Sequence, residues 1–208
     1  DRMIQQLREA IGAGVDGIAM MGHPGDEAIM PLAQMASEAG IMMMYQNVDV
    51  PSVRAKYGGG YVGANLATQG YALGLEAIRL FDLKPGDDAI VMVPIGDYSR
   101  AQREDNVRIA FEEHGMNVVV LDGTPEQATD PNSAIPVISA ALAANPDTKI
   151  LVHTGGQMLG NAEAFAMAAG YGPNELLQIG FDTSPQVMSG FVNGYAHLTS
   201  DQQPFLQG

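Results

Sequence analysis

No cysteine occurs among the 208 residues, which excludes a thiol nucleophile, disulfides and cysteine-based zinc sites. Basic residues are scarce: 10 Lys and Arg stand against 24 Asp and Glu, giving a net charge of −14 and a sequence pI near 4.4. Nucleic acid and anionic membrane surfaces both need clustered Lys and Arg, so neither is expected as a partner. No run approaches the roughly 18 uninterrupted apolar residues of a membrane span. No signal-peptide pattern opens the chain. Asp1 leads directly into a helical spacing of Ile4, Leu7 and Ile11, and residues 202–208 read as a strand exit followed by a helix start. Both ends read as those of a fragment of a longer protein.

What is present is a sizeable core. Hydrophobic residues make up 46 % of the chain, enough for one large α/β domain or two small ones. The stretch from Lys149 to Pro185 carries the most information. A short apolar run ends at His153 and gives way to the turn Thr154-Gly-Gly-Gln157. An Ala-rich helix stopped by Gly170 follows, and then a second apolar run ending in Gly180-Phe181-Asp182. This is a strand–helix–strand unit whose two strands open into polar loops at one sheet edge. In open parallel sheets, ligands bind outside the carboxyl ends of the strands.

The rest of the chain repeats that rhythm. A helix over Arg2–Ala13 precedes a strand over Gly17–Met21. A helix from Asp26, with Ile29, Leu32, Ala33 and Ala36 on one face, ends at Gly40. Ile41–Met44 reads as a buried strand, residues 52–60 as a glycine-rich loop, and Tyr61-Val62 as a short extended piece. A helix from Ala64 runs to Pro85-Gly86. The strand Ala89–Val93 follows, then a helix opened by a Ser99-x-x-Gln102 capping box. The strand Asn117–Leu121, a turn-rich Asp122–Pro131 and a helix carrying Ile135, Ile138 and Leu142 come next. A short helix over Pro185–Gly190 and a strand over Ala196–Thr199 lie beyond the Lys149–Pro185 unit. The strands are apolar runs rather than in/out alternations, as expected where helices cover both faces. The fold class is therefore α/β, with doubly wound parallel sheets. The long interval from residue 45 to 65 is the expected passage between two lobes.

Two Gly-x-Gly-x-x-Gly spacings, at Gly12–Gly17 and Gly58–Gly63, lack the strand-to-helix context that a dinucleotide site needs. No Gly-x-Ser-x-Gly elbow is present. His153 is read as a hydrogen-bonding residue rather than a catalyst. The remaining histidines show no metal-ligand spacing, and no cofactor is expected. The polar strand-end set Gln46, Asn47, Asp97, Tyr98, Arg103, Thr154, Gln157, Asp182 and Gln202 offers fixed donors and acceptors without a nucleophile–base pair. Such a set suits a neutral polyhydroxylated ligand, whose hydroxyls each donate and accept. Tyr45, Tyr98 and Phe181 could face a sugar ring, with core packing the better reading for Phe181. Arg108 reads as part of a salt-paired surface.

Gly14-Val-Asp-Gly-Ile18, Tyr61-Val-Gly-Ala-Asn65 with Gly70, Gly180-Phe-Asp182-x-x-Pro185 and Asp201-Gln-Gln-Pro204 resemble type I periplasmic sugar-binding proteins of ABC transporters, ribose-binding-protein-like, over essentially the whole chain. The resemblance implies two Rossmann-like lobes: residues 1–64 rejoined by 203–208, and residues 65–202. It implies hinge crossings near Ala64-Asn65 and Gln202-Gln203, and a chain lacking parts of the family fold at both ends. It places the family's binding Arg on Arg103, its turn Asp on Asp182 and its crossover Gln on Gln202. The family's Asp-Arg pair becomes Gln46-Asn47, and its Asn-Asp pair becomes Gly155-Gly156. These departures leave the ligand open between pentose, hexose and polyol. The function implied is periplasmic capture of a neutral carbohydrate by a monomer that serves a transporter permease. The effector domain of a lac-repressor-type regulator is the alternative on the same fold, and a small α/β hydrolase ranks last.

Overall fold

The computed structural model describes residues 2–95 and 98–207, with the backbone alone for residues 98–100. The described residues form two compact units, residues 2–65 with 98–100 and 202–207, and residues 66–95 with 101–201.

The first unit runs α1 (Arg2–Ala13), β1 (Gly17–Met21), α2 (Asp26–Glu38), β2 (Met42–Gln46), α3 (Pro51–Tyr57) and β3 (Gly60–Val62). Helix α2 buries the expected Ile29, Leu32, Ala33 and Ala36. Asp26 and Glu27 lie in its first turn, where the helix dipole favours negative charge. The strands form a parallel sheet in the order β1-β2-β3, with Gly17 opposite Met42 and Met44 opposite Gly60. Met20, Met43 and Tyr45 join Leu7, Ile11 and the α2 stripe in one core. Two expectations fail here. The glycine-rich interval contains a helix, α3, with Pro51 at its first turn and Val53 buried. Proline there loses an amide that no helix uses and presets φ. The methionine run also does not form a strand buried on both faces. It alternates, with Met43 buried while Met42 is 76 % and Met44 45 % exposed.

The second unit runs α4 (Leu66–Phe81), β4 (Asp88–Pro94), α5 (Tyr98–Glu113), β5 (Asn117–Gly123), α6 (Pro125–Thr129), α7 (Ile135–Ala144), β6 (Thr148–Val152), α8 (Gly155–Gly160), α9 (Ala162–Ala168), β7 (Leu177–Phe181), α10 (Pro185–Asn193) and β8 (Leu198–Ser200). Its sheet has the order β5-β4-β6-β7-β8, all parallel. Successive strand residues point to opposite faces, and both faces are covered. Val91, Ile150, Val152 and Phe181 pack with Leu73 of α4 and Phe111 of α5. Ile90, Met92 and Leu151 pack with Ile138 of α7 and Phe165 of α9. Helices α4 and α5 meet through small residues. A Cβ on Gly70 would lie 1.8 Å from the Arg103 carbonyl oxygen, and one on Gly74 2.7 Å from the Ala110 methyl.

Two further expectations are corrected in this unit. The turn-rich stretch after β5 holds α6, opened by a reciprocal capping box between Thr124 and Gln127, and a 3₁₀ turn over Pro131–Ala134. The Ala-rich helix is two helices divided at Asn161. At the division Gln178 Nε2 donates to the Ala162 carbonyl.

Candidate functional site

The chain leaves β4 for β5 on one side of the sheet and then crosses to β6 on the other. The carboxyl ends of β4 and β6 therefore flank a topological switch point, where open α/β sheets place ligands. Asp182 follows directly on β7, the next strand over. Its backbone is left-handed, with φ at 67°, a conformation that Asp tolerates better than most residues. Two bonds to the end of β8 hold it there: Asp182 N–H donates to Ser200 O at 2.9 Å and Thr199 Oγ1 donates to Asp182 O at 2.7 Å. Its carboxylate accepts the Gly156 N–H at 3.3 Å. The Gly156 amide is thus already engaged by Asp182.

Arg103 lies next to this carboxylate. Its Nη1 is 3.6 Å from Asp182 Oδ1, and its guanidinium stacks 4.1 Å over the centroid of the Phe181 ring. Glu104 Oε1 accepts from both Nε and Nη2, at 3.2 and 3.0 Å. The Arg103 and Glu104 side chains are fully buried, whereas Asp182 is 33 % exposed. Among the described residues Arg103 Nη1 makes no hydrogen bond. A buried cation of this kind is tolerated only when paired. Phe181 is core, as expected, but one face of its ring carries the cation.

Thr154 is half-buried at the start of α8 and makes no capping bond, while Gln157 is exposed on the same helix. Beside them lies a crevice of about 540 Å³, lined by Thr129, Gly156, Gln157, Asn161, Ser184 and Gln186. His153 does not partner Asp182. Its Nε2 meets Gln178 Oε1 at 2.9 Å, and its ring stacks on Phe165 with centroids 5.3 Å apart. Gln178 Nε2 donates to Ala162 O and Tyr195 O, so its oxygen is the acceptor and His153 carries its proton on Nε2. Burial lowers the His153 pKa to about 4, which keeps the ring neutral at neutral pH. One ring face and the Nε2 proton are committed to structure, in keeping with the sequence reading of this histidine as a hydrogen-bonding residue.

In the first unit, Gln46 ends β2 and Asn47 follows in a left-handed conformation, φ 64°. Asn47 N–H donates to Val62 O, and Tyr61 Oη donates to Asn47 O. Nearby, Arg54 grips Asp49 bidentately at 2.7 and 2.8 Å and lies 5.7 Å from the Tyr61 ring centroid. Tyr45 is fully buried, so it offers no face to a ring. Gln202 belongs to this unit, and its carbonyl accepts from Gln207 Nε2 at 2.9 Å. Asp97, the side chain of Tyr98 and the Ser99 half of the expected capping box lie outside the described residues. Arg108 pairs with Asp105 and Glu112 on the surface, as expected.

Sequence reasoning missed Glu104 and the Asp49–Arg54 pair. A signal for Glu104 exists. Residues 103, 104, 107 and 111 share one helical face, and that face carries the buried Val107 and Phe111. An acid and a base on an apolar stripe point to a buried pair rather than a solvated one. Among the described residues no group of three His, Asp or Glu could hold a metal ion.

Parallel sheets with helices between their strands and polar groups at the strand ends define an α/β architecture. Solved structures share the architecture. A periplasmic sugar binding protein of an ABC sugar transporter from Legionella pneumophila matches with a TM-score of 0.84 at 22 % identity, over 99 % of this chain and 74 % of that one. A putative LacI transcriptional regulator from Bacteroides fragilis matches with a TM-score of 0.79 at 16 % identity, over 98 % and 69 %. The family described as periplasmic binding protein domain matches residues 1–208, and the chain belongs to that family. It is 27 % identical over 219 residues to the xylose/arabinose-binding protein XylF of Sulfolobus acidocaldarius, covering 99 % of this chain and 52 % of that protein. The chain therefore spans about half the length of this relative.

Proposed function

We propose that this chain is the ligand-capturing part of an extracytoplasmic solute-binding protein that delivers a neutral sugar or polyol to an ABC transporter permease, acts as a monomer and performs no chemistry on its cargo. The observation that carries this reading is Asp182: a partly exposed carboxylate with a fixed aim at a strand end, backed by a buried guanidinium. Such a carboxylate accepts from two adjacent sugar hydroxyls at once, and charge-assisted bonds of this kind are about twice as strong as neutral ones. The relative that binds xylose and arabinose supports a sugar as the cargo. Capture proceeds by closure of two lobes about residues 64–65 and 202–203, the motion implied by the family resemblance. Thr154 and Gln157 on the second lobe, and Gln46, Asn47 and Gln202 on the first, supply further hydrogen bonds. Asp97 and Tyr98 complete the proposed set.

Calorimetric titration with D-xylose, D-arabinose, D-glucose, D-galactose and myo-inositol tests this. At least one is expected to bind, and Asp182→Asn is expected to weaken it by about 100-fold, the cost of losing a buried charged hydrogen bond. Absence of binding to every member would refute the reading. The similarity to a putative LacI regulator supports a second reading, the effector domain of a transcription regulator. Stimulation of a permease's ATPase by the loaded protein separates the two, because an effector domain produces none.

A further inference from the structure

The first turn of α4 touches two supports of Asp182, and the role assigned to it here rests on the sugar-binding reading above. Gln69 Nε2 donates to Ser200 Oγ at 3.0 Å. Ser200 is the last residue of β8, and its carbonyl accepts the Asp182 N–H at 2.9 Å. Thr199, one residue earlier, donates from Oγ1 to the Asp182 carbonyl at 2.7 Å. Gly70, the residue after Gln69, passes so close to the Arg103 carbonyl oxygen that a Cβ there would lie 1.8 Å from it. One turn of helix thus meets the strand end that holds the Asp182 backbone, and also the residue whose guanidinium lies 3.6 Å from the Asp182 carboxylate.

Strand β8 needs such a tie. It spans three residues, Leu198–Ser200, and among the described residues it is the last strand of its sheet, paired with β7 alone. Short strands with few buried neighbours open locally at little cost in free energy. Asp182 is left-handed, φ 67°, a conformation that a residue other than glycine keeps only where its surroundings over-determine it. Fraying at Ser200 removes the bonds from β8 and with them the fixed aim of the carboxylate. Gln69 is itself well anchored, because Gly70 packs against the Arg103 backbone and Leu73, one turn on, lies in the core. We infer that Gln69 is a positioning residue of the strand-edge site: by tying Ser200 to α4 it holds the end of β8, and through it the backbone and carboxylate of Asp182, in place for sugar hydroxyls. A carboxylate held in its bound orientation has less ordering left to undergo when the sugar arrives, and that raises affinity.

Gln69→Met removes the amide and keeps the length of the side chain, and Ser200→Ala removes the same bond from its other end. The intact chain and these variants are titrated calorimetrically with whichever of D-xylose, D-arabinose, D-glucose, D-galactose and myo-inositol the native chain binds. Exchange of the Asp182 amide proton is followed by NMR without sugar. Each variant is expected to weaken binding by about tenfold, the effect of one hydrogen bond, and to speed the Asp182 amide exchange by a similar factor. In an Asp182→Asn background, Gln69→Met is expected to change affinity by less than about twofold, because its effect passes through the carboxylate. A residue that only supports the fold does not show this dependence on Asp182. Native affinity or a native exchange rate in folded Gln69→Met overturns the inference, as does the full tenfold loss in the Asp182→Asn background. Where Gln69→Met does not fold, Ser200→Ala decides by the same readings. A native chain that binds none of these sugars removes the sugar-binding reading itself. The amide exchange then tests the link from Gln69 to Asp182 alone, and an unchanged rate overturns it.

Discussion

The two parallel sheets differ in how they are covered. In the second unit, Ile90, Val91, Leu151 and Val152 are buried, with helices on both faces. In the first, Met43 and Tyr45 are buried while Met42 and Met44 on the alternate face are exposed. Parallel sheets are ordinarily buried on both sides; among the described residues the first is covered on one side only. The contrast teaches where a demanding polar group can be placed. A buried Arg103–Glu104 pair needs close-packed surroundings that satisfy it, and these residues lie on α5, which packs against the fully covered sheet. The first unit carries its ion pair, Asp49–Arg54, between the loop after β2 and α3, where both side chains keep some solvent.

The most severe way to break this contrast is to part the helices that close the second sheet. Gly70→Ala places a methyl group 1.8 Å from the Arg103 carbonyl oxygen, and backbone does not yield cheaply. A loss of more than about 3 kcal/mol is expected, read as a fall in the thermal midpoint. A native-like midpoint would mean that α4 and α5 do not pack as described.

A smaller effect comes from His153. Its folded pKa, about 4, lies below the ordinary 6.5, so the unfolded chain binds the proton more readily. Stability is then full above about pH 6.5, falls as pH drops toward 4 and levels off below that. The total is on the order of 3 kcal/mol. Urea denaturation across this range should show the slope in the native chain and a shallower one in His153→Leu. Equal slopes would place the titration elsewhere.

The smallest change sharpens the comparison from the other side. Met42→Ser is expected to cost less than about 0.5 kcal/mol, as for an exposed residue, while Met43→Ser on the covered face costs about 2 kcal/mol or more. Matching costs at the two positions would mean that both faces of the first sheet are buried in solution.

Legibility in the sequence follows the same physical line. The long helices and buried strands announce themselves by periodicity. The bounds expected for the first helix and first strand match the structure, as does the buried stripe of α2. Helices α3 and α6 span only seven and five residues, too few for a period to emerge. Their signals were local instead: Pro51 in a first turn, and Thr124 with Gln127 three residues on. At the site, Asp182 was legible because it closes a strand, and the hydrogen-bonding role of His153 because it stands alone at the end of an apolar run. The partners were not legible. Nothing in the order of residues tells that Gln178 is the mate of His153, or that Arg103 rests on Phe181, because those contacts form only when separate strands and helices are assembled.

Gln178 carries a last consequence. Its side-chain amide ties β7 to the residue preceding Thr154, to α9 and to the segment ahead of β8, with every contact buried. The segments beneath Thr154 and Asp182 are therefore tied together by buried hydrogen bonds. Under the proposed function, little ordering remains for a ligand to impose on this side, and selectivity comes from fixed atoms rather than from loops that adapt to whatever docks.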